Sequence, residues 1–109
     1  MTVDQPRLSV CVLNWNTCDL LHTCLQSLYE DPDAQEWEVI VVDNGSSDDS
    51  CGMVAACFPD ARLVQNRENL GFAVGNNRAM ELARGDHILL LNPDTRVEAG
   101  ALNGLIHFM

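Results

Sequence analysis

Trp15, Asp43 and Asp94 are the residues of this sequence with the clearest chemistry to offer, and each stands within three residues of the end of a short apolar run. An indole presents a flat face on which a nucleobase can stack, and a carboxylate can accept hydrogen bonds from a ribose or a pyrimidine edge. A further carboxylate can hold a hard divalent cation against phosphates. Magnesium and manganese prefer oxygen ligands and keep several waters, so one or two carboxylates plus phosphate oxygens suffice. Amides gather at the same places. Asn14 and Asn16 flank Trp15, Asn44 follows Asp43, Asn76 and Asn77 are adjacent, and Asn92 stands two residues before Asp94. Each of the three also has a plainer reading: Trp15 as partial core, Asp43 before Gly45 as a turn former, Asp94 after Pro93 as an ordinary turn residue. What favours function is their coincidence on one rim, and that depends on the elements that carry them.

Leu8-Ser9-Val10-Cys11-Val12-Leu13 follows Pro6 and suits a strand buried on both faces. From Thr17, a plausible N-cap, apolar residues recur at Leu20, Leu21, Cys24, Leu25 and Leu28, the spacing of one helical face, and the helix must end before Asp31-Pro32-Asp33. Val39-Ile40-Val41-Val42 is a strong strand signal, because consecutive β-branched residues lose side-chain freedom in a helix and fit a pleated sheet. It stops at the polar turn Asp43-Asn44-Gly45-Ser46-Ser47, where Ser47 or Asp48 can cap a helix running to about Phe58. Arg62-Leu63-Val64-Gln65 reads as a third strand, Phe72 to Arg84 as a helix stopped by Gly85, and His87-Ile88-Leu89-Leu90-Leu91 as a fourth strand. A last helix is expected from about Ala99, running to Met109 without a stop signal.

Strand and helix alternate four times, which predicts one α/β domain with a mostly parallel sheet and right-handed crossovers. In open sheets of this kind ligands bind beyond the carboxyl ends of the strands. There stand Asn14-Trp15-Asn16, Asp43-Asn44-Gly45-Ser46, the stretch Asn66 to Asn69, and Asn92-Pro93-Asp94. Four strand ends thus offer carboxylates, amides and one large aromatic on a single rim, the equipment of a nucleotide site.

Composition narrows the partners. With 47% hydrophobic and 20% charged residues the chain is that of a folding globular protein rather than a disordered one. Its net charge is -10, all six basic residues are arginine, and none stands between His22 and Arg62, where nine carboxylates accumulate. Such a surface repels a polynucleotide backbone, so no nucleic-acid partner is expected. The five cysteines form an odd set without CxxC spacing, which indicates neither a disulfide framework nor a zinc knuckle. Reduced cysteines make a cytoplasmic location the default. No stretch approaches the roughly 18 apolar residues of a membrane span, and the first residues are no signal peptide.

Three segments carry a family resemblance: Val41-Val42-Asp43-Asn44-Gly45-Ser46-Ser47-Asp48, Asn69-Leu70-Gly71-Phe72-Ala73-Val74-Gly75-Asn76-Asn77 and Leu90-Leu91-Asn92-Pro93-Asp94-Thr95. In order and spacing the chain resembles the family 2 inverting glycosyltransferases, in particular the rhamnosyltransferase-like branch that builds bacterial cell-surface polysaccharides. The likeness runs from Leu8 to about Leu105. It implies a GT-A fold, Rossmann-like, of which residues 1–109 are the nucleotide-sugar-binding half, the acceptor-binding half being absent. It further implies donor-binding roles for Asn14, Trp15, Asn16, Asp43, Asn44, Gly71, Asn76, Asn77 and Asn92, and a magnesium- or manganese-binding role for Asp94. In this reading Trp15 stacks on the base, Asp43 meets the base or ribose, and Asn92-Pro93-Asp94 replaces the first aspartate of a DxD motif with an amide. Ala79 stands where the branch often has glycine, and alanine is the better helix former.

The resemblance implies, for the full-length parent, transfer of a sugar from a dTDP-, UDP- or GDP-linked donor to a saccharide or lipid-linked acceptor, with inversion, at the inner face of the membrane. In that family the general base is an acidic residue well downstream of the DxD-like motif, and Met109 stands only fifteen residues after Asp94. The catalytic base is therefore expected downstream of Met109, and no residue of this sequence is assigned that role. These residues are expected to show little transferase activity. Truncation is also expected to leave an apolar surface through which the chain self-associates. A non-catalytic nucleotide-sugar-binding module is the alternative. A dinucleotide-dependent oxidoreductase is excluded, since its first strand should lead into GxGxxG and Asn14-Trp15-Asn16-Thr17 stands there instead.

Overall fold

The structure is a computed structural model and describes residues 5–108. Met109, the residue beyond which the catalytic base is expected, lies outside the described residues. The chain alternates β1 (Leu8–Asn14), α1 (Cys18–Tyr29), β2 (Trp37–Asp43), α2 (Ser50–Cys57), β3 (Arg62–Gln65), α3 (Phe72–Leu82), β4 (His87–Leu91) and α4 (Ala101–Phe108), with a single 3-10 turn at Ala34–Glu36 before β2. The strands form one sheet in the order β3-β2-β1-β4, and every neighbouring pair is parallel. The α/β reading from the sequence is therefore correct in every element.

The order of the strands matters for function. From β1 the chain moves outward to β2 and β3, then returns to add β4 on the other side of β1. The direction reverses between β1 and β4, and in open parallel sheets the crevice at such a reversal is where ligands sit. Register carries the last paired couple, Val12 and Leu91, to within two residues of Asn14 and Pro93.

Both faces of the sheet are covered near its middle. Leu8, Val10 and Val12 of β1, with Val39 and Val41 of β2, pack on Leu21, Cys24, Leu25 and Leu28 of α1 and on Met53 and Val54 of α2. Val97 and Leu102 join this core from the segment after β4. On the opposite face Cys11, Ile40 and Val42 meet Ala79 of α3. β4 lies at the sheet edge, and its alternate residues Ile88 and Leu90 are exposed.

Local details differ from the sequence reading, each for a physical reason. Leu20 is exposed, and the buried stripe of α1 instead includes Ser27. The Thr17 side chain does not cap α1; its hydroxyl donates to Asn14 Oδ1 at 2.6 Å. The free amide of Cys18 is taken by Asp48 Oδ2 at 3.1 Å, so a carboxylate from another loop satisfies the helix end. α2 begins at Ser50, whose N–H donates to Asp48 Oδ1 at 3.0 Å, and hydrogen bonds from Ser50 and Cys18 outweigh burial to hold the Asp48 carboxyl below its ordinary value. α3 ends at Leu82, so Gly85 is no helix stop. A Cβ on Gly85 would lie 2.6 Å from the Ser9 backbone nitrogen, and close approach of two main chains is the reason for glycine there. α4 starts at Ala101, after Gly100 at φ +84. No helix among the described residues is long and apolar enough to cross a membrane.

Candidate functional site

Asn14 and Asp43 are the last residues of β1 and β2, and the parallel register sets them side by side. Asn14 Nδ2 donates to Asp43 Oδ1 at 3.0 Å. The Ser46 hydroxyl donates to the same oxygen at 2.7 Å, and the Ser46 backbone N–H donates to Oδ2 at 2.8 Å. Burial first, then the side chain and charge of Asp43, push the Cys51 thiol up to about 11. Asp43 is only 2% exposed. A carboxylate with this many protein donors is satisfied internally. Asp43 therefore braces the corner between β1 and β2.

Trp15 does the opposite. It is 53% exposed, so the alternative that it belongs to the core is excluded. Its neighbours hold it in place: Asn16, at the left-handed φ of +53 that asparagine tolerates, donates its N–H to Ser46 Oγ at 2.9 Å and accepts the Ser47 N–H at 2.7 Å. The indole thus stands out from a turn that is stapled to the β2–α2 loop on one side and, through Asn14, to β2 on the other.

Asn44 is buried and organises the loop that leads into α3. Its Oδ1 accepts Asn66 Nδ2 at 3.0 Å and the Leu70 N–H at 3.2 Å, and its Nδ2 donates to Asn69 Oδ1 at 3.2 Å and to the Gly71 carbonyl at 3.1 Å. Gly71 sits exposed at the start of α3 with φ +88, a conformation open to glycine at little cost. Asn77 is exposed, whereas Asn76 is only 5% exposed and its Nδ2 has no protein acceptor among the described residues. A buried donor without a partner is costly, which marks this first part of α3 as a place that a polar group from outside would complete.

Asp94 lies on the loop after β4. The Thr95 N–H donates to the Asn92 carbonyl at 3.1 Å, closing a four-residue turn with Pro93 in its preferred second position. Asn92 and Asp94 are both exposed. The loop lies over α1: burial first and the Asp94 charge second push the Cys24 thiol of α1 up to about 11. Among the described residues no three His, Cys, Asp or Glu side chains gather to cage a metal. One exposed carboxylate in a rigid turn fits magnesium or manganese only when diphosphate oxygens and waters fill the remaining positions.

The structure therefore divides the expected residues. Asn14, Asp43, Asn16 and Asn44 form the braced frame, while Trp15, Gly71, Asn77, Asn92 and Asp94 face outward. Ser46, Ser47 and Asn66 belong to the frame as well; the sequence set Ser46 and Asn66 on the rim and Ser47 in a turn, without giving any of them a site role. Two clefts lie elsewhere. The larger, about 990 Å³, opens at the amino ends of β2 and β3 between Tyr29, Trp37, Asp60, Arg62 and Arg84. It mixes acids with arginines and stands at the end of the sheet opposite the direction reversal. The smaller, about 480 Å³, is lined by Ser27, Glu30, Asp31 and residues 96–99.

Comparison with known proteins identifies the family. The chain is 30% identical to a putative teichuronic acid biosynthesis glycosyltransferase, TuaG, of Bacillus subtilis, over the whole chain and 44% of that protein. The crystal structure of S. aureus TarS in complex with UDP superposes with a TM-score of 0.85 at 25% identity, over 94% of this chain and 31% of that one. The mannosyltransferase PcManGT of Pyrobaculum calidifontis, in complex with GDP-Man and Mn2+, superposes with a TM-score of 0.73 at 31% identity, over 83% of this chain and 28% of that one. The chain spans about a third of the length of such proteins, 32% for a curated relative at 38% identity. The model of the family Glycosyl transferase family 2 matches residues 9–109. With its parallel sheet, its exposed Trp15 and Asp94 at the reversal between β1 and β4, and this match over almost every residue, the chain belongs to glycosyl transferase family 2 and has the GT-A fold.

Proposed function

We propose that this chain binds the nucleoside-diphosphate sugar donor of an inverting glycosyltransferase, at the rim between the ends of β1 and β4. The observation that carries this reading is the pairing of an exposed, braced indole, Trp15, with an exposed carboxylate in a proline turn, Asp94, on the two sides of the strand-order reversal. In this reading Trp15 stacks on the base, Gly71 to Asn77 pass beneath the donor, and Asn92 and Asp94 face the diphosphate. Asp43 acts by fixing the Asn14 and Ser46 corner against which the nucleoside rests. A divalent magnesium or manganese ion, when bound, offsets charge on the departing diphosphate.

The reaction proposed for the longer protein is displacement at the anomeric carbon. The acceptor oxygen forms the new bond to that carbon, the bond from carbon to diphosphate oxygen breaks, and the acceptor proton passes to a carboxylate base. The resemblance puts that base downstream of Met109, outside residues 1–109. The acceptor proposed is a saccharide or lipid-linked glycan at the cytoplasmic face of the membrane, and the rhamnosyltransferase-like motifs favour a dTDP-linked sugar. TuaG, named for a cell-wall polymer, and the UDP and GDP-Man complexes support a polysaccharide role and nucleotide-sugar binding respectively.

The test is a calorimetric screen of UDP-, dTDP- and GDP-sugars with manganese present and with EDTA. Saturable, manganese-enhanced binding of at least one donor is the expected result, together with little sugar transfer by these residues alone. Absence of binding for every donor would sink the reading.

A further inference from the structure

We propose that Ser27, in the last turn of α1, and Asp31, just past its end, are positioning residues for Asp94. The inference rests on the metal-binding reading of Asp94 given above and goes beyond it. Cys24, Ser27 and Asp31 follow one another at helical spacing and continue a single stripe along α1 and just past its end. All three are buried. A buried hydroxyl and a buried carboxylate beside Leu25 and Leu28 cost stability unless they are hydrogen-bonded, so their partners say what they are for.

Those partners lie on the segment that follows Asp94. Ser27 Oγ accepts the Val97 N–H at 2.9 Å while donating to the Cys24 carbonyl at 2.7 Å. Asp31 Oδ2 accepts the Gly100 N–H at 3.0 Å, and Oδ1 accepts the Asp33 N–H at 2.9 Å. Val97 and Gly100 precede α4 and belong to no helix or strand, so these main-chain donors have no regular partner of their own. The Val97 side chain is itself buried in the core that α1 helps to form. The chain is thus pinned at Leu91 by pairing with β1 and again at Val97 and Gly100 by α1, and only residues 92–96 span the interval. The Asn92-Pro93-Asp94-Thr95 turn occupies that span, with Cys24 beneath it.

A short loop fixed at both ends has few conformations, and a carboxylate in it is pre-set for its ion at small entropic cost. Loosening the second pin lets Asp94 wander without touching the base-stacking side of the rim. The consequence is specific: loss of Ser27 or Asp31 weakens the metal-dependent part of nucleotide binding and leaves the metal-independent part alone. A role confined to folding would lower both together or neither.

The experiment uses UDP and manganese chloride as probes. UDP affinity is measured by calorimetry in EDTA and in saturating manganese, and manganese affinity in saturating UDP by the electron paramagnetic resonance signal of the free ion. In Ser27→Ala and Asp31→Asn, manganese affinity in saturating UDP is expected to fall about tenfold, as for other residues that orient a metal ligand. UDP affinity in EDTA stays at the wild-type value, and Ser27→Thr, which keeps the hydroxyl, stays close to wild type in both. Asp94→Ala abolishes the manganese-dependent part. If Asp94→Ala does so while Ser27→Ala and Asp31→Asn bind manganese as wild type, the positioning proposal is wrong and the metal reading stands. Equal losses with and without manganese also overturn it, since they report a folding role. Unchanged manganese binding in Asp94→Ala overturns the metal reading and this proposal with it. Should Asp31→Asn fail to fold, the Ser27→Ala and Ser27→Thr pair decides.

Discussion

Trp15 and Asp43 both stand at the proposed site but should respond to substitution in opposite ways. Trp15 is exposed and packs little, so Trp15→Ala is expected to leave the stability read from urea denaturation within about 0.5 kcal/mol of wild type. Nucleotide affinity should fall by about 1 kcal/mol, roughly fivefold, from loss of stacking. Asp43→Asn keeps the shape but replaces one acceptor oxygen with an amide, facing donors from Asn14 and Ser46. That should cost about 1–3 kcal/mol of stability by urea denaturation, with nucleotide binding lost only as the corner loosens. The sequence showed that both residues end strands, but not which faces the rim. Asp43 turns inward because the parallel register brings Asn14, 29 residues earlier, beside it, and no local pattern encodes that pairing. Asn44, expected to meet the donor, is the hub of the loop before α3, a role that no local pattern announced.

Glu38 of β2 ties Ser9 of β1 to Arg84, in the segment between α3 and β4. Burial raises its pKa, but hydrogen bonds from the Ser9 hydroxyl and from Arg84, and the charge of Arg84, outweigh it and hold the carboxyl below its ordinary 4.5. A depressed acid stabilises the fold at pH above its unfolded value, and that contribution disappears as pH falls through the folded value. Wild type should therefore exceed Glu38→Gln by a constant margin near neutrality, and the margin should shrink below about pH 4.5, read from urea midpoints across pH. Glycines give a second test at this scale. Gly85→Ala would set a Cβ against the backbone of Leu8 and Ser9 and should cost about 1–3 kcal/mol. Gly104→Ala, in an exposed helix position with nothing within 4 Å, should gain about 0.5–1 kcal/mol. Hydrophobic period showed α1, the β-branched run Val39-Ile40-Val41-Val42 showed β2 and turn residues bounded α2, while the 3-10 turn at Ala34–Glu36 carried no signal. The ends were harder, because α1 borrows its cap from Asp48 and α3 stops two residues before Arg84 to let Gly85 approach β1.

Across the whole molecule, the edge strand β4 exposes Ile88 at 46% and Leu90 at 42%, an apolar pair beside an unpaired strand edge. Such edges promote association, and a net charge of -10 opposes it over the distance that salt screens. The chain is expected to self-associate in solution, more strongly as salt rises, and a monomer by light scattering at high concentration and high salt would count against this. The parallel α/β architecture was readable from four alternations of strand and helix. The return of β4 to the far side of β1 was not, since strand order depends on packing between distant segments, and the proposed site stands on this return. The most direct measurement is the broadening of amide resonances by manganese in the presence of UDP. Lines of Trp15, Asn92 to Thr95 and Gly71 to Asn77 should broaden first, around an ion held at Asp94. Broadening centred instead on Trp37, Arg62 and the cleft at the amino ends of β2 and β3, with the Asp94 turn untouched, would contradict the account.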